Sequence, residues 1–156
     1  MTTITRPSID QAPHQVPQPT DPLPLAGQRV LVVEDEMVLA LDIEEGLEGA
    51  GATVVGPVPS LADAGLLLAL ARRLDAAVLD VNLGGETVYP LADALVAAGI
   101  PIVFASGYSE TELPARFVGV SHLEKPVDVG ALTLAVSRSI SRNAVPEASD
   151  WNHPEP

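Results

Sequence analysis

The chain contains no cysteine. Disulfides, zinc-thiolate centres and a thiol nucleophile are therefore excluded, and cysteine usage says nothing about redox compartment. Aromatic residues make up only 3% of the 156 positions, so a core has to be built from Ala, Leu and Val. That composition suits a parallel sheet between small-faced helices. Positive charge is scarce: eight Lys and Arg stand against 21 Asp and Glu, a formal net charge of −13. A protein that grips phosphate backbones needs a basic stripe, and so few cations cannot easily supply one; direct nucleic-acid binding is not expected. No apolar run reaches the roughly 18 residues of a membrane span. The N-terminus also lacks the basic-then-apolar order of a secretory signal, so the expectation is a cytoplasmic protein with no membrane association.

What is present is enough for one domain. Hydrophobic residues make up 47% of the chain and charged residues 19%, sufficient to bury a core without staples. Residues 1–26 carry six prolines and no sustained apolar period, which predicts a disordered arm. Residues 143–156, with three prolines and the only tryptophan, Trp151, read as a disordered tail. Between them, in a domain over residues 27–142, five short apolar runs read as buried strands: 29–33, 52–56, 76–79, 101–105 and 118–123. The segments between them read as amphipathic helices over 37–50, 60–73, 87–98, 109–116 and from 129 onward. Ser60 serves as an N-cap with Asp63 at the third helical position, and Pro114 interrupts the fourth helix. Strand and helix alternating five times predict an α/β fold, a doubly wound five-stranded parallel sheet of (βα)5 type. In such sheets the functional crevice lies beyond the carboxyl ends of the strands.

At those ends stand Glu34-Asp35-Glu36, Asp80-Val81-Asn82, Ser106-Gly107 and Glu124-Lys125-Pro126. Three carboxylates brought within about 4 Å of one another repel by about 4 kcal/mol per pair at an effective dielectric near 20. They call for a cation, and oxygen ligands of this kind suit a hard divalent ion, Mg²⁺ or Mn²⁺. Ser106 adds a hydroxyl donor and Lys125 a fixed positive charge, each able to meet a phosphoryl oxygen. Lys125 is the only lysine in the chain, every other strong base being arginine. A cis bond to Pro126 would aim its amine back at the carboxylates. The combination describes a phosphoryl-transfer site.

At these residues the chain resembles the receiver domain of two-component response regulators, over about residues 28–142, with the flavodoxin-like receiver fold. The resemblance implies metal binding by Glu34, Asp35 and Asp80, and through the backbone carbonyl of Asn82. It implies phosphorylation of Asp80, a phosphoryl hydrogen bond from Ser106 and phosphoryl pairing by Lys125. The run Phe104-Ala105-Ser106-Gly107-Tyr108 is similar to the Phe-Ala-Thr-Gly-Tyr signature of a stand-alone receiver subfamily, with Ser in place of Thr. Two positions depart from the common pattern. Glu34 is one methylene longer than the more frequent Asp, which implies contact with the metal through water. His122 stands where most receivers carry an aromatic switch residue, so Tyr108 is expected to take that role, with His122 mainly structural.

The implied function is a single-domain response regulator. It would accept a phosphoryl group on Asp80 from a sensor histidine kinase or a histidine phosphotransfer protein and signal through a protein partner. It would be a self-catalysed switch, not a metabolic enzyme. The alternative is a non-phosphorylated scaffold of the same fold that binds a partner protein. A flavodoxin-type flavin protein would need a Ser/Thr/Gly-rich phosphate loop after the first strand, where this chain has acids that repel phosphate. A phosphatase of the haloacid-dehalogenase type would need a second Asp two residues after the nucleophile, where Asn82 stands.

Overall fold

A computed structural model describes residues 21–144. Most of the arm (1–20) and of the tail (145–156) lies outside these residues. The main sheet has five parallel strands in the order β2-β1-β3-β6-β7, formed by β1 (Arg29–Val33), β2 (Thr53–Val58), β3 (Ala76–Leu79), β6 (Ile102–Ser106) and β7 (Ser121–Glu124). Two short antiparallel strands, β4 (Asn82–Leu83) and β5 (Glu86–Thr87), make a hairpin after β3. The α-helices are α1 (Met37–Gly49), α2 (Leu61–Leu70), α3 (Tyr89–Ala97) and α4 (Val129–Ala144).

The central strands are apolar at nearly every position because both faces of the sheet are covered. Side chains alternate between faces along each strand, and the core divides accordingly. Val30 and Val32 of β1 join Val78, Val103, Ile43 and Leu47 of α1, and Leu132 and Val136 of α4. Leu31 and Val33 point the other way, into a cluster with Leu79, Phe104, Ala64 of α2, and Leu91 and Leu95 of α3. The expected strands 29–33 and 76–79 are found with those bounds. Ser60 caps α2, its hydroxyl accepting the Asp63 amide at 3.1 Å. Among the described residues no helix is long and apolar enough to cross a membrane.

Several differences from the sequence reading have local causes. The fourth helix is absent: 109–116 instead forms two 3₁₀ turns, Glu110–Glu112 and Ala115–Phe117. Pro114 supplies no amide and drives Leu113 into extended backbone at ψ 146°, so the first turn cannot propagate. Phe117, 3% exposed, anchors the segment instead. Its ring packs edge-on against Phe104 at 5.2 Å between centroids and stacks with Tyr89 at 5.6 Å. Strand β7 starts at Ser121 and not at 118, because Val120 donates its amide to the Phe117 carbonyl in a turn. Helix α3 starts at Tyr89, with Pro90 in its first turn, a position that suits proline, while Thr87 pairs with Asn82 in the hairpin. The arm ends earlier than residue 26: Leu25 is fully buried, and its amide bonds to the Ala50 carbonyl at 2.9 Å. At the other end, Asn143 and Ala144 belong to α4 and not to the tail.

Helices α1 and α4 meet where Gly46 faces Val129, and a Cβ at Gly46 would collide with the Val129 side chain. Gly65 in α2 has open space around its Cβ direction. Gly65→Ala is therefore expected to stabilise the domain by about 0.5–1 kcal/mol through helix propensity. Gly46→Ala, with the same propensity gain, is expected to lose about 1–3 kcal/mol by overpacking. Urea midpoints of the two variants check this; equal shifts of the same sign would show that the α1–α4 contact does not constrain residue 46.

Candidate functional site

Glu34, Asp80 and Lys125 each stand first past a strand, with Asp35 second past β1, Ser106 closing β6 and Asn82 opening β4, and the sheet's own hydrogen bonds fix the backbone of the first three. The Glu34 amide donates to the Val58 carbonyl at 3.0 Å, Asp80 to Val33 at 2.9 Å, and Lys125 to Ser106 at 2.8 Å. These bonds continue the ladders past the strand ends and bring one side chain from each of three strands to one edge.

There the carboxylates of Glu34, Asp35 and Asp80 offer oxygens that all lie within 4.8 Å of one another. Glu34 and Asp80 are buried, at 3% and 4% exposure, whereas Asp35 is exposed. The Lys125 amine donates to Asp80 Oδ2 at 3.0 Å and to Glu34 Oε1 at 3.2 Å, and lies 3.8 Å from Glu36 Oε2. The Lys125–Pro126 peptide is cis. Glu34 Oε1 also accepts the Glu36 amide at 3.0 Å, but Glu34 Oε2 is buried without a hydrogen-bond partner. A buried carboxylate oxygen without a donor, beside two further carboxylates, is a feature a hard cation satisfies. The acidic cluster could hold a metal ion.

The cluster also sets the proton affinities. Burial pushes the Glu34 carboxyl up to about 7, and the negative charge of Asp80 adds to this against the hydrogen bonds from the Glu36 amide and Lys125. Burial works against the charge of Lys125. The hydrogen bonds and charges of Asp80 and then Glu34 more than offset it, so the amine holds its proton more tightly than an ordinary lysine.

The hairpin that sequence reasoning missed shapes the mouth of the site. Gly84 donates its amide to Asp35 Oδ2 at 3.0 Å, and Gly85 donates to the Asn82 side chain at 2.7 Å. Both glycines have positive φ, 64° and 94°, which a two-residue hairpin turn of this hand requires; the Gly-Gly pair was the available signal. The cleft is lined by Asp35, Asp80, Asn82, Tyr108 and Lys125 together with the glycines.

Ser106 is placed differently. It is fully buried, its hydroxyl lies 3.2 Å from His122 Nε2, and it accepts the Tyr108 amide at 3.2 Å. It is thus behind the cleft wall and held there. The side chain within hydrogen-bonding distance of its hydroxyl is the His122 imidazole. Tyr108 is partly exposed at the cleft. The site's chemistry is therefore a cation-seeking carboxylate cluster with one fixed ammonium, open to solvent on the Asp35 side, and a hydroxyl one step behind.

This fold is shared with known proteins. SdrG of Sphingomonas melonis Fr1 is 40% identical, over 71% of this chain and 96% of that one, with a TM-score of 0.61. A response regulator receiver protein of Sinorhizobium medicae WSM419 is 27% identical over 74% and 96% of the two chains, TM-score 0.63. A response regulator protein of Burkholderia pseudomallei, solved with a phosphorylated aspartic acid, a calcium ion and citrate, is 25% identical over 74% and 69%, TM-score 0.61. No protein-family model matches the chain. The chain spans about half the length of the curated relatives it matches, 53% and 43% of them. The class defined by sheet order and strand-end acids is the receiver domain, and the chain belongs to the response regulator receiver family.

The raised Glu34 pKa carries a testable sign. The folded protein holds the Glu34 proton up to about 7, the unfolded chain only to its ordinary 4.5, so between these values the folded state binds more protons and stability falls as pH rises. Without added metal, the domain is expected to be about 1 kcal/mol more stable at pH 6 than at pH 8, a melting shift of about 4 °C. In Glu34→Gln this difference should vanish. Thermal melts at the two pH values decide; an unchanged difference in the variant would assign the titration to another group.

Proposed function

We propose that this domain is a phosphoacceptor switch in which Asp80 takes a phosphoryl group from a phosphohistidine on a sensor histidine kinase or a histidine phosphotransfer protein. The observation that carries this reading is the chain's single lysine held between Asp80 and Glu34 at the strand-end edge. The phosphorylated aspartic acid and calcium ion of the Burkholderia protein support it. Asp35, Asp80, Glu34 and the Asn82 carbonyl would hold Mg²⁺ or Mn²⁺, which supplies charge neutralisation for a transferring phosphoryl group.

An Asp80 carboxylate oxygen attacks phosphorus in line, the phosphorus–nitrogen bond to the donor histidine breaks, and the imidazole departs with the electron pair. The product is an acyl phosphate. The Lys125 ammonium, already at 3.0 Å from Asp80 Oδ2, pairs with a phosphoryl oxygen. Water later attacks the same phosphorus, the bond to Asp80 breaks, and the carboxylate returns with inorganic phosphate released. Such self-catalysed turnover makes a switch and not a metabolic enzyme, and its setting is the cytoplasm, where kinase and partner meet it.

Output passes through a protein partner in this reading. The phosphoryl group adds close to two negative charges beside Lys125, and capture of a phosphoryl oxygen draws the Ser106 hydroxyl away from His122 and the Tyr108 amide. Tyr108 and His122 then report the change on the outer face. Met37, Val38 and Leu41 of α1, at 75%, 69% and 54% exposure, form an apolar surface beside the acid cluster that suits a protein partner.

With a small-molecule phosphodonor and Mg²⁺, the intact protein should gain one phosphoryl mass, labile to hydroxylamine and absent in Asp80→Asn. On the same sample, the His122 ring resonances should shift on phosphorylation, while Tyr108→Ala should leave the phosphorylation rate within about three-fold, below 1 kcal/mol in barrier. Phosphate found on Ser106 or Tyr108, or no incorporation, would overturn the assignment and favour the unphosphorylated scaffold.

A further inference from the structure

At the end of the sheet opposite the phosphoryl site, a groove of about 350 Å³ runs between the start of β6, the start of β7 and the last turns of α3 and α4. Val96, Ile100, Pro101 and Val120 give it an apolar lining, and Arg142 and Asn143 of α4 form its polar side. Asn143 donates to the Gly99 carbonyl at 3.0 Å and Arg142 to the Ser121 hydroxyl at 3.2 Å, which ties the last turn of α4 to the rim. A second hollow, with Ser121, Ser137 and Arg138 in its lining, shares Arg142 with the first.

The charge here is opposite to that of the protein as a whole. In a chain of net charge −13, Arg73 and Arg116 are paired with Asp75 and Asp93, and Lys125 with the acid cluster. Arg138 and Arg142, one turn apart on α4, form no ion pair among the described residues, nor do Arg29 and Arg72 elsewhere on the domain. The groove therefore presents an apolar floor beside two arginines that have no carboxylate partner among the described residues. It suits a peptide segment with a large apolar side chain and nearby acids.

Such a segment follows α4 directly. Residues 145–156 continue from Ala144 and carry Glu147, Asp150, Glu155 and Trp151. Six residues lie between Ala144 and Trp151, seven steps with a reach of up to about 25 Å, and Asn143 already lines the groove. We propose that this groove takes the chain's own 145–156 segment, with the Trp151 indole on the apolar floor and Glu147 and Asp150 facing Arg142 and Arg138. Tethering favours this occupant over a separate peptide, because a short linker holds the segment at an effective concentration of about 1 mM. None of the phosphoryl-site residues takes part, so the contact stands or falls independently of the proposed phosphorylation.

Trp151 is the only tryptophan, so indole fluorescence of the full chain reports this contact alone. If the free segment binds with a dissociation constant of about 100 µM, tethering seats it about nine-tenths of the time, and acrylamide quenching should be about five- to ten-fold weaker than in a synthetic peptide of residues 145–156. Emission should also be blue-shifted from that of the peptide. Arg138→Glu with Arg142→Glu, and separately Val96→Asp at a half-exposed position of α3, should each restore peptide-like quenching. Thermal melts confirm that each variant is folded, and the Val96 variant decides if the arginine pair is not tolerated. Peptide-like quenching in the full chain, or shielding unchanged in the folded variants, would overturn the proposal. Shielding lost on dilution would also overturn it, by assigning the groove to a second copy.

Discussion

Two carboxylates buried at the ends of neighbouring strands, answered by one lysine, are the constraint around which the rest of the domain is arranged. Removing an ion from water costs several kcal/mol even after relaxation, and here Glu34 and Asp80 are both nearly inaccessible. Lys125 contacts both, yet Asp35 and Glu36 bring the local tally to four carboxylates against one ammonium. The cluster is undercompensated. It relieves part of this by holding the Glu34 proton up to about 7, and its remaining negative charge, with an oxygen that lacks a donor, is what a divalent cation would neutralise.

Such a cluster survives only on a rigid platform, and the sheet provides one. The amides of Glu34, Asp80 and Lys125 are each tied into the neighbouring strand, so the acids cannot separate without breaking the ladder. The strands below them are apolar on both faces and sealed by α1 and α4 on one side and α2 and α3 on the other. Stability of the core and repulsion at the edge therefore oppose each other across the same few residues. That is the arrangement expected of a site held ready for a charged ligand.

Much of this was legible in the residues. Unbroken apolar runs such as 29–33 and 76–79 read as buried strands because nothing in them competes, and the single lysine beside a proline marked the site. The structure departs where a local rule yields to one residue. Pro114 turns an acidic, helix-like segment into two 3₁₀ turns, and Phe117 supplies by insertion the burial that a helix face would have supplied. Leu25 was hidden among prolines, and only the tertiary fold shows that it fills a place beside Ala50. The five acids and bases of the edge could be listed from spacing alone, but the side of the cleft on which Ser106 lies could not. Its hydroxyl is set by the rotamer that His122 and the Tyr108 amide select, and no periodicity encodes a rotamer. The Asp35–Gly84 bond was likewise invisible until the Gly-Gly turn was placed.

The central claim is that the uncompensated charge at this edge, carried by the ends of β1 and β3, can hold a cation. Anomalous diffraction from crystals soaked in Mn²⁺ tests it most directly. The account predicts one ion bonded to the Asp35 and Asp80 carboxylates and the Asn82 backbone carbonyl, with Glu34 reached directly or through water and the Gly84 amide released from Asp35. An ion bound elsewhere on the acidic surface, with these carboxylates still closed around Lys125, would contradict it.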